Sequence, residues 1–311
     1  MSLAASPLAM EVAGLRFQNP IMLASGTAAY GRELAGVMNL DALGGIVTKA
    51  VSMEPRPGAP APRVAEWGGG MINAVGLANP GVARVRAEEL PWLAANVGGP
   101  RMLINVVGRA VEDFAAVVAA LDGEQGFDAF EINVSCPNVK AGGLEFGADE
   151  ASLRAVVTGC RGATRKPLFV KLSPTLGDIA SAARVAVDSG ANGITLVNTL
   201  PGLVIDVESR RPALGFGSGG VSGRELLPVG VLATAKVRKA VSVPLIGMGG
   251  VASAADALQY MIAGASLVGI GTAALRDPRL PERIVRDLEK WCGRKRVASL
   301  ADVVGSLEWP A

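Results

Sequence analysis

Histidine is missing from all 311 residues. Its absence removes Ser-His-Asp hydrolysis, His-ligated zinc and an imidazole proton shuttle together, so any proton this chain moves must pass through another side chain. Cysteine is nearly as scarce. Cys136, Cys160 and Cys292 stand far apart, without the paired spacing of a zinc or iron-sulfur site and without enough thiols for a disulfide framework. Such usage fits a reducing cytosol. A charge imbalance is also lacking: 30 basic against 28 acidic side chains give no electrostatic reason to expect nucleic acid or an anionic membrane surface. The opening "MSLAASPLAMEVAG" has no basic stretch ahead of an apolar run, and reads as neither signal peptide nor anchor. One uncharged stretch, residues 257–275, is long enough to span a bilayer. Gly264, Gly269 and Gly271 interrupt it, and "AGAS" reads as a turn between a buried helix and a buried strand.

What the chain does have is a 50% hydrophobic share spread over short runs bounded by Gly, Pro or Asn. The runs at 21–26, 44–50, 101–108, 127–135, 168–173, 193–199, 244–250 and 266–273 read as strands. Between them lie stretches with helical spacing, among them "VEDFAAVVAALD", "DIASAARVAVDSG", "PVGVLATAKVRKAV" and "AADALQYMIAG". This alternation implies parallel strands with crossover helices. Closed on themselves, such units make an α/β fold of the TIM (β/α)8 type, here one barrel domain over residues 1–311, with its site at the C-terminal ends of the strands. Two connections, 51–80 after the second strand and 200–222 after the sixth, are too long for plain loops. Their apolar residues favour ordered lids or contact surfaces.

The strand ends are polar or glycine: Ser25 and Gly26, Lys49, Asn105, Asn133 with Cys136 just beyond, Lys171, Asn198 and Thr199, Gly249 and Gly250, Gly271 and Thr272. These groups come from separate strands and converge only in a barrel, where they form one rim. The last two pairs lie where barrels commonly hold a phosphate on backbone N–H groups, so a phosphorylated ligand or cofactor is implied. "GMGGVA" fits a loose dinucleotide fingerprint, but it ends the seventh strand rather than opening the first βα turn. With histidine absent, Lys49, Lys171 and Cys136 are the candidate bases, the thiol acting as thiolate. Cys136 sits in a polar loop whose Gly142 and Gly143 allow a lid to move. Cys160 and Cys292 fall in helical stretches and read as packing residues. The rim lysines either neutralise an anionic substrate and a cofactor that turns negative, or one of them forms a Schiff base. Asn73, Asn133 and Asn198 offer both donor and acceptor, whereas Asn79 reads as a turn residue. The run "RKR" at 294–296 reads as the solvated end of the last helix.

The motifs "NPIMLASGT", "TKAVSMEPRPG", "MINAVGLANPG", "EINVSCPNVK", "VKLSP", "LVNTLPGLVIDVESRRP", "GGVSG", "IGMGG" and "VGIGTA" occur in order between about residues 11 and 290. Together they resemble the dihydroorotate dehydrogenases, and among them the catalytic subunits of class 1B. The resemblance implies FMN on the barrel rim and oxidation of dihydroorotate to orotate in pyrimidine synthesis. It would make Cys136 the base that takes a proton from C5 while hydride leaves C6. Lys49, Asn73, Ala74, Val75, Gly76, Leu77, Asn133, Asn198 and Thr199 would hold the substrate. Ser25, Lys49, Ala50, Asn105, Asn133, Lys171, Val197, Gly223, Gly249, Gly250, Gly271 and Thr272 would hold FMN, with Lys171 stabilising the reduced anion. Quinone-linked relatives use serine as base. The fumarate-linked class 1A shares the cysteine, but "NVKAGGLEFG" and "LPGLVIDVESRRP" look like class 1B. That class implies a partner subunit with FAD and a [2Fe-2S] cluster that reduces NAD+, usually as a heterotetramer of two catalytic and two electron-transfer chains in the cytoplasm. The competing expectations are a class 1A enzyme, or a Schiff-base aldolase or lyase on the same barrel.

Overall fold

The structure, a computed structural model, describes residues 6–135 and 145–310. Eight parallel strands close into a barrel: β1 (Ile21–Leu23), β2 (Gly45–Val47), β3 (Arg101–Val106), β4 (Ala129–Asn133), β5 (Leu168–Leu172), β6 (Gly193–Leu196), β7 (Leu245–Met248) and β8 (Leu267–Ile270). Apart from Arg101 every residue in them is buried. Strands covered on both faces read as continuous apolar runs, and this is why the sequence exposes them so clearly. Gly193 shows how the interior fills: a Cβ there would lie 2.5 Å from the Phe169 ring on β5, which occupies that space.

Helices such as Val111–Leu121, Glu150–Ala163, Ile179–Asp188, Leu227–Arg238 and Ala254–Ala263 cover the outside. Their starts are set chemically. Asp149, Asp178 and Ser253 each accept a hydrogen bond from a backbone N–H in the first turn. The uncharged stretch at 257–275 divides as the glycines require, into the helix ending at Ala263, a turn at Gly264 with φ +121°, and β8. No helix among the described residues is long and apolar enough to cross a membrane. Cys160 and Cys292 are buried within helices, and the run at 294–296 is the exposed end of the helix Leu280–Lys295.

Two features were not read from the sequence. A hairpin, Met10–Val12 with Leu15–Phe17, leads into β1 and buries Met10, Val12 and Phe17. The two long connections also pair with each other. Val64–Trp67 and Gly70–Asn73 from the first, with Leu200–Gly202 and Gly219–Gly223 from the second, form one antiparallel four-stranded sheet. It is rooted beyond the C-terminal ends of β2 and β6, on the side where the polar strand ends lie.

Candidate active site

Cys136 lies outside the described residues. Its neighbour Ser135 is described and is 5% exposed. The Ser135 hydroxyl donates to Asn133 Oδ1 at 2.7 Å and accepts from Asn198 Nδ2 at 2.6 Å, tying the end of β4 to the end of β6. The Asn198 side chain in turn accepts from the Thr199 N–H at 2.8 Å. Three of the expected residues are therefore joined through Ser135, which the sequence reading passed over. Period-two alternation along β4 is the signal that finds it: Glu131, Asn133 and Ser135 share one face, while Phe130, Ile132 and Val134 share the other.

Lys171 stands opposite Asn133 on one side and Thr195 on the other in the ladder, and is 5% exposed. Its Nζ donates to Ser25 Oγ at 3.1 Å, so two expected flavin-binding residues from opposite parts of the chain meet. Asn105 is 1% exposed and gives its Nδ2 to Glu131 Oε1 at 2.7 Å. Asn105 Oδ1, Glu131 Oε2 and Thr195 Oγ1 are buried without a partner among the described residues. Lys49 is half-buried, and no hydrogen bond or ion pair of its ammonium is seen among the described residues. Its backbone N–H donates to Ala29 O at 2.7 Å, and the adjacent Ala50 is buried with its carbonyl accepting from the Tyr30 hydroxyl at 3.2 Å.

The glycines form a second group. Gly223, Gly249 and Gly250 have φ of +128°, +120° and +74°. A Cβ on Gly250 would lie 2.5 Å from Leu227 N, so the turn after β7 needs glycine for both conformation and space. Tyr260 supports that turn from below, donating to Gly249 O at 2.8 Å. Burial, with the Asp256 charge adding to it, pushes the Tyr260 phenol above its ordinary range, which keeps it a donor. Gly271 precedes the short helix Thr272–Arg276, and Thr272 Oγ1 donates to Ser222 Oγ at 2.8 Å beside Gly223. Val197 is buried and donates its N–H to Met248 O at 3.2 Å, next to Gly249.

Asn73 and Thr199 meet across Gly220. Asn73 Nδ2 donates to Gly220 O at 3.2 Å, and a Cβ on Gly220 would lie 2.0 Å from Thr199 Oγ1. Ala74, Val75, Gly76 and Leu77 continue from Asn73, and their hydrogen bonds run back into their own connection: Ala74 N to Arg63 O at 2.8 Å and Ala59 N to Val75 O at 3.1 Å. Gly76 is exposed, and Gly76 and Leu77 both have positive φ. A separate cleft of about 460 Å³, lined by Glu145, Leu153, Thr175, Asp178 and Val185 among others, lies between two outer helices and contains none of these residues. Of the two other thiols, burial pushes Cys160 up to about 12 and raises Cys292, so both are inert at neutral pH.

Buried amides, a lysine at a strand end and glycine turns on one barrel face suit a planar, polar heteroaromatic group with a phosphate. Known proteins are similar along the whole chain. A relative from Pelobacter propionicus named "Dihydroorotate dehydrogenase B (NAD(+)), catalytic subunit" is 45% identical over 301 residues, 97% of this chain and 98% of its own. Another from Solibacter usitatus, named for the fumarate-linked A type, is 44% identical over 304 residues, 97% of this chain and 99% of its own. The crystal structure of a dihydroorotate dehydrogenase from Eimeria tenella in complex with ferulenol superposes with a TM-score of 0.81, covering 98% of this chain and 90% of its own, at 22% identity. That last likeness shows the shared barrel. The family model of dihydroorotate dehydrogenases matches residues 7–291, and with that coverage the chain belongs to the dihydroorotate dehydrogenase family.

Proposed function

We propose that this chain is the catalytic subunit of an NAD+-linked dihydroorotate dehydrogenase that oxidises (S)-dihydroorotate to orotate with FMN on the barrel rim. Asn133, Ser135 and Asn198 carry this reading: their hydrogen-bonded string spans the end of β4 to the end of β6, and Ser135 immediately precedes Cys136 in the sequence. Such a string presents fixed donors and acceptors to a cyclic ureide, whose edges are themselves amide groups.

The residues present fit a flavin. Asn105 Oδ1 is a buried acceptor without a partner among the described residues, and the turn Gly249–Gly250 has the positive-φ backbone that glycine adopts without strain. Bound there, FMN would supply the two-electron acceptor that no side chain can provide. Ser25, Ala50, Asn105, Asn133, Lys171 and Val197 would hold its ring system, and Gly223, Gly249, Gly250, Gly271 and Thr272 its phosphate end. The Lys171 ammonium, oriented by Ser25, would favour the negatively charged reduced form. On the substrate side, Lys49, Asn133, Asn198 and Thr199, with Asn73 to Leu77 of the first long connection, would fix the carboxylate and ring amides. Cys136 would take the proton from C5.

Cys136→Ala tests the chemistry. The variant is expected to retain flavin and to lose the reductive half-reaction by about 10²- to 10⁴-fold in rapid mixing at neutral pH, the usual cost of removing a positioned base. An unchanged rate would remove Cys136 from the mechanism. Names among the relatives divide between the NAD+-linked and fumarate-linked types. We assign this chain to the first, with an FAD/[2Fe-2S] subunit in a two-plus-two assembly in the cytoplasm. Reoxidation of the reduced chain by fumarate alone would move it to the second type.

A further inference from the structure

Two residues before the amide string begins, β4 holds a carboxyl group to which no role above is given. Glu131 lies on β4 two positions before Asn133 and is 0% exposed. Among the described residues no lysine or arginine pairs with it. A buried carboxyl without a counter-charge is among the most costly groups a core can contain, and a core that needed only packing would hold an apolar residue there.

Its contact with Asn105 has a direction. Asn105 Nδ2 donates to Glu131 Oε1 at 2.7 Å. An amide has one donor edge and one acceptor edge. Committing the NH2 to Glu131 turns the oxygen the other way, and Asn105 Oδ1 is a buried atom left without a partner among the described residues. The two side chains stand opposite each other in the β3–β4 ladder, so the backbone register itself sets the contact. Without an acceptor at 131, either edge of the amide could face the cavity.

We propose that Glu131 is a positioning residue: it locks the Asn105 amide with its oxygen toward the flavin site, where it accepts a hydrogen bond from an N–H at the ring edge. This rests on the flavin reading above. Glu131 acts through Asn105, not on the substrate. The effect belongs to the isoalloxazine ring and is independent of the phosphate.

The test is a double-mutant cycle on flavin binding. Flavin-free wild type, Glu131→Leu, Asn105→Ala and the double variant are titrated with FMN and, separately, with riboflavin, following quenching of flavin fluorescence. Glu131→Leu is expected to weaken both ligands by about ten- to a hundredfold, the scale for an unsatisfied or misdirected buried hydrogen bond. The double variant should be no weaker than Asn105→Ala alone. The isosteric Glu131→Gln, which keeps the volume and so the fold, can offer Asn105 either edge and should show a smaller loss of the same kind. Additive losses, a loss confined to FMN, or a Glu131→Gln variant that binds like wild type would each overturn the inference and leave the flavin reading intact. A wild-type chain that takes up neither flavin would overturn both.

Discussion

Lys171 shows how much chemistry rests on single side chains in this barrel. Among the described residues, this lysine, 5% exposed at the end of a buried strand, has the neutral Ser25 Oγ as its partner rather than a carboxylate. Its charge is therefore available to a ligand. Replacing it by alanine is expected to shift the flavin midpoint potential to more negative values, because the reduced anion loses its counter-charge, while the fold survives. A redox titration with an unmoved midpoint would contradict that role. At this scale the sequence was legible wherever a polar residue closed an apolar run: Ser25, Lys49, Asn105, Asn133, Lys171 and Asn198 all fall where strand ends were expected. Glu131 and Ser135 escaped, for a physical reason. Attention to strand ends overlooks the residues two positions away that share the same inward face, and a carboxyl inside a buried run looks at first like a terminal charge.

Among the elements, the eight strands were legible because parallel strands covered on both faces must be apolar throughout. Their boundaries were read too long. Residues such as Ala24 to Gly26 and Thr48 to Ala50 leave the regular ladder to form the rim. The sheet built from the two long connections was not legible, since neither segment could bury its strands alone and nothing local says that residues 70–73 pair with 220–223. Glycine makes that pairing close enough. At Gly220 a Cβ would collide with Thr199 Oγ1 at 2.0 Å. Gly220→Ala is therefore expected to displace Thr199 and raise the KM for dihydroorotate, with the flavin content of the purified protein unchanged. Steady-state kinetics with a dye acceptor would show it, and an unaltered KM would remove Thr199 from the substrate contacts.

For the whole molecule, the barrel gathers residues from distant parts of the chain: Ser25 lies 146 positions from its partner Lys171, and Asn73 lies 147 from Gly220. No isolated segment could carry the site, and this is why the family match extends over residues 7–291 rather than over a motif. The near balance of charge, 30 basic against 28 acidic, leaves recognition to these fixed hydrogen-bonding groups at short range. The most direct measurement is anaerobic titration of the purified chain with dihydroorotate, following flavin absorbance. Complete bleaching, with one orotate formed for each flavin reduced, is the predicted result. A colourless protein, or a bound flavin that stays oxidised in excess dihydroorotate, would contradict the account.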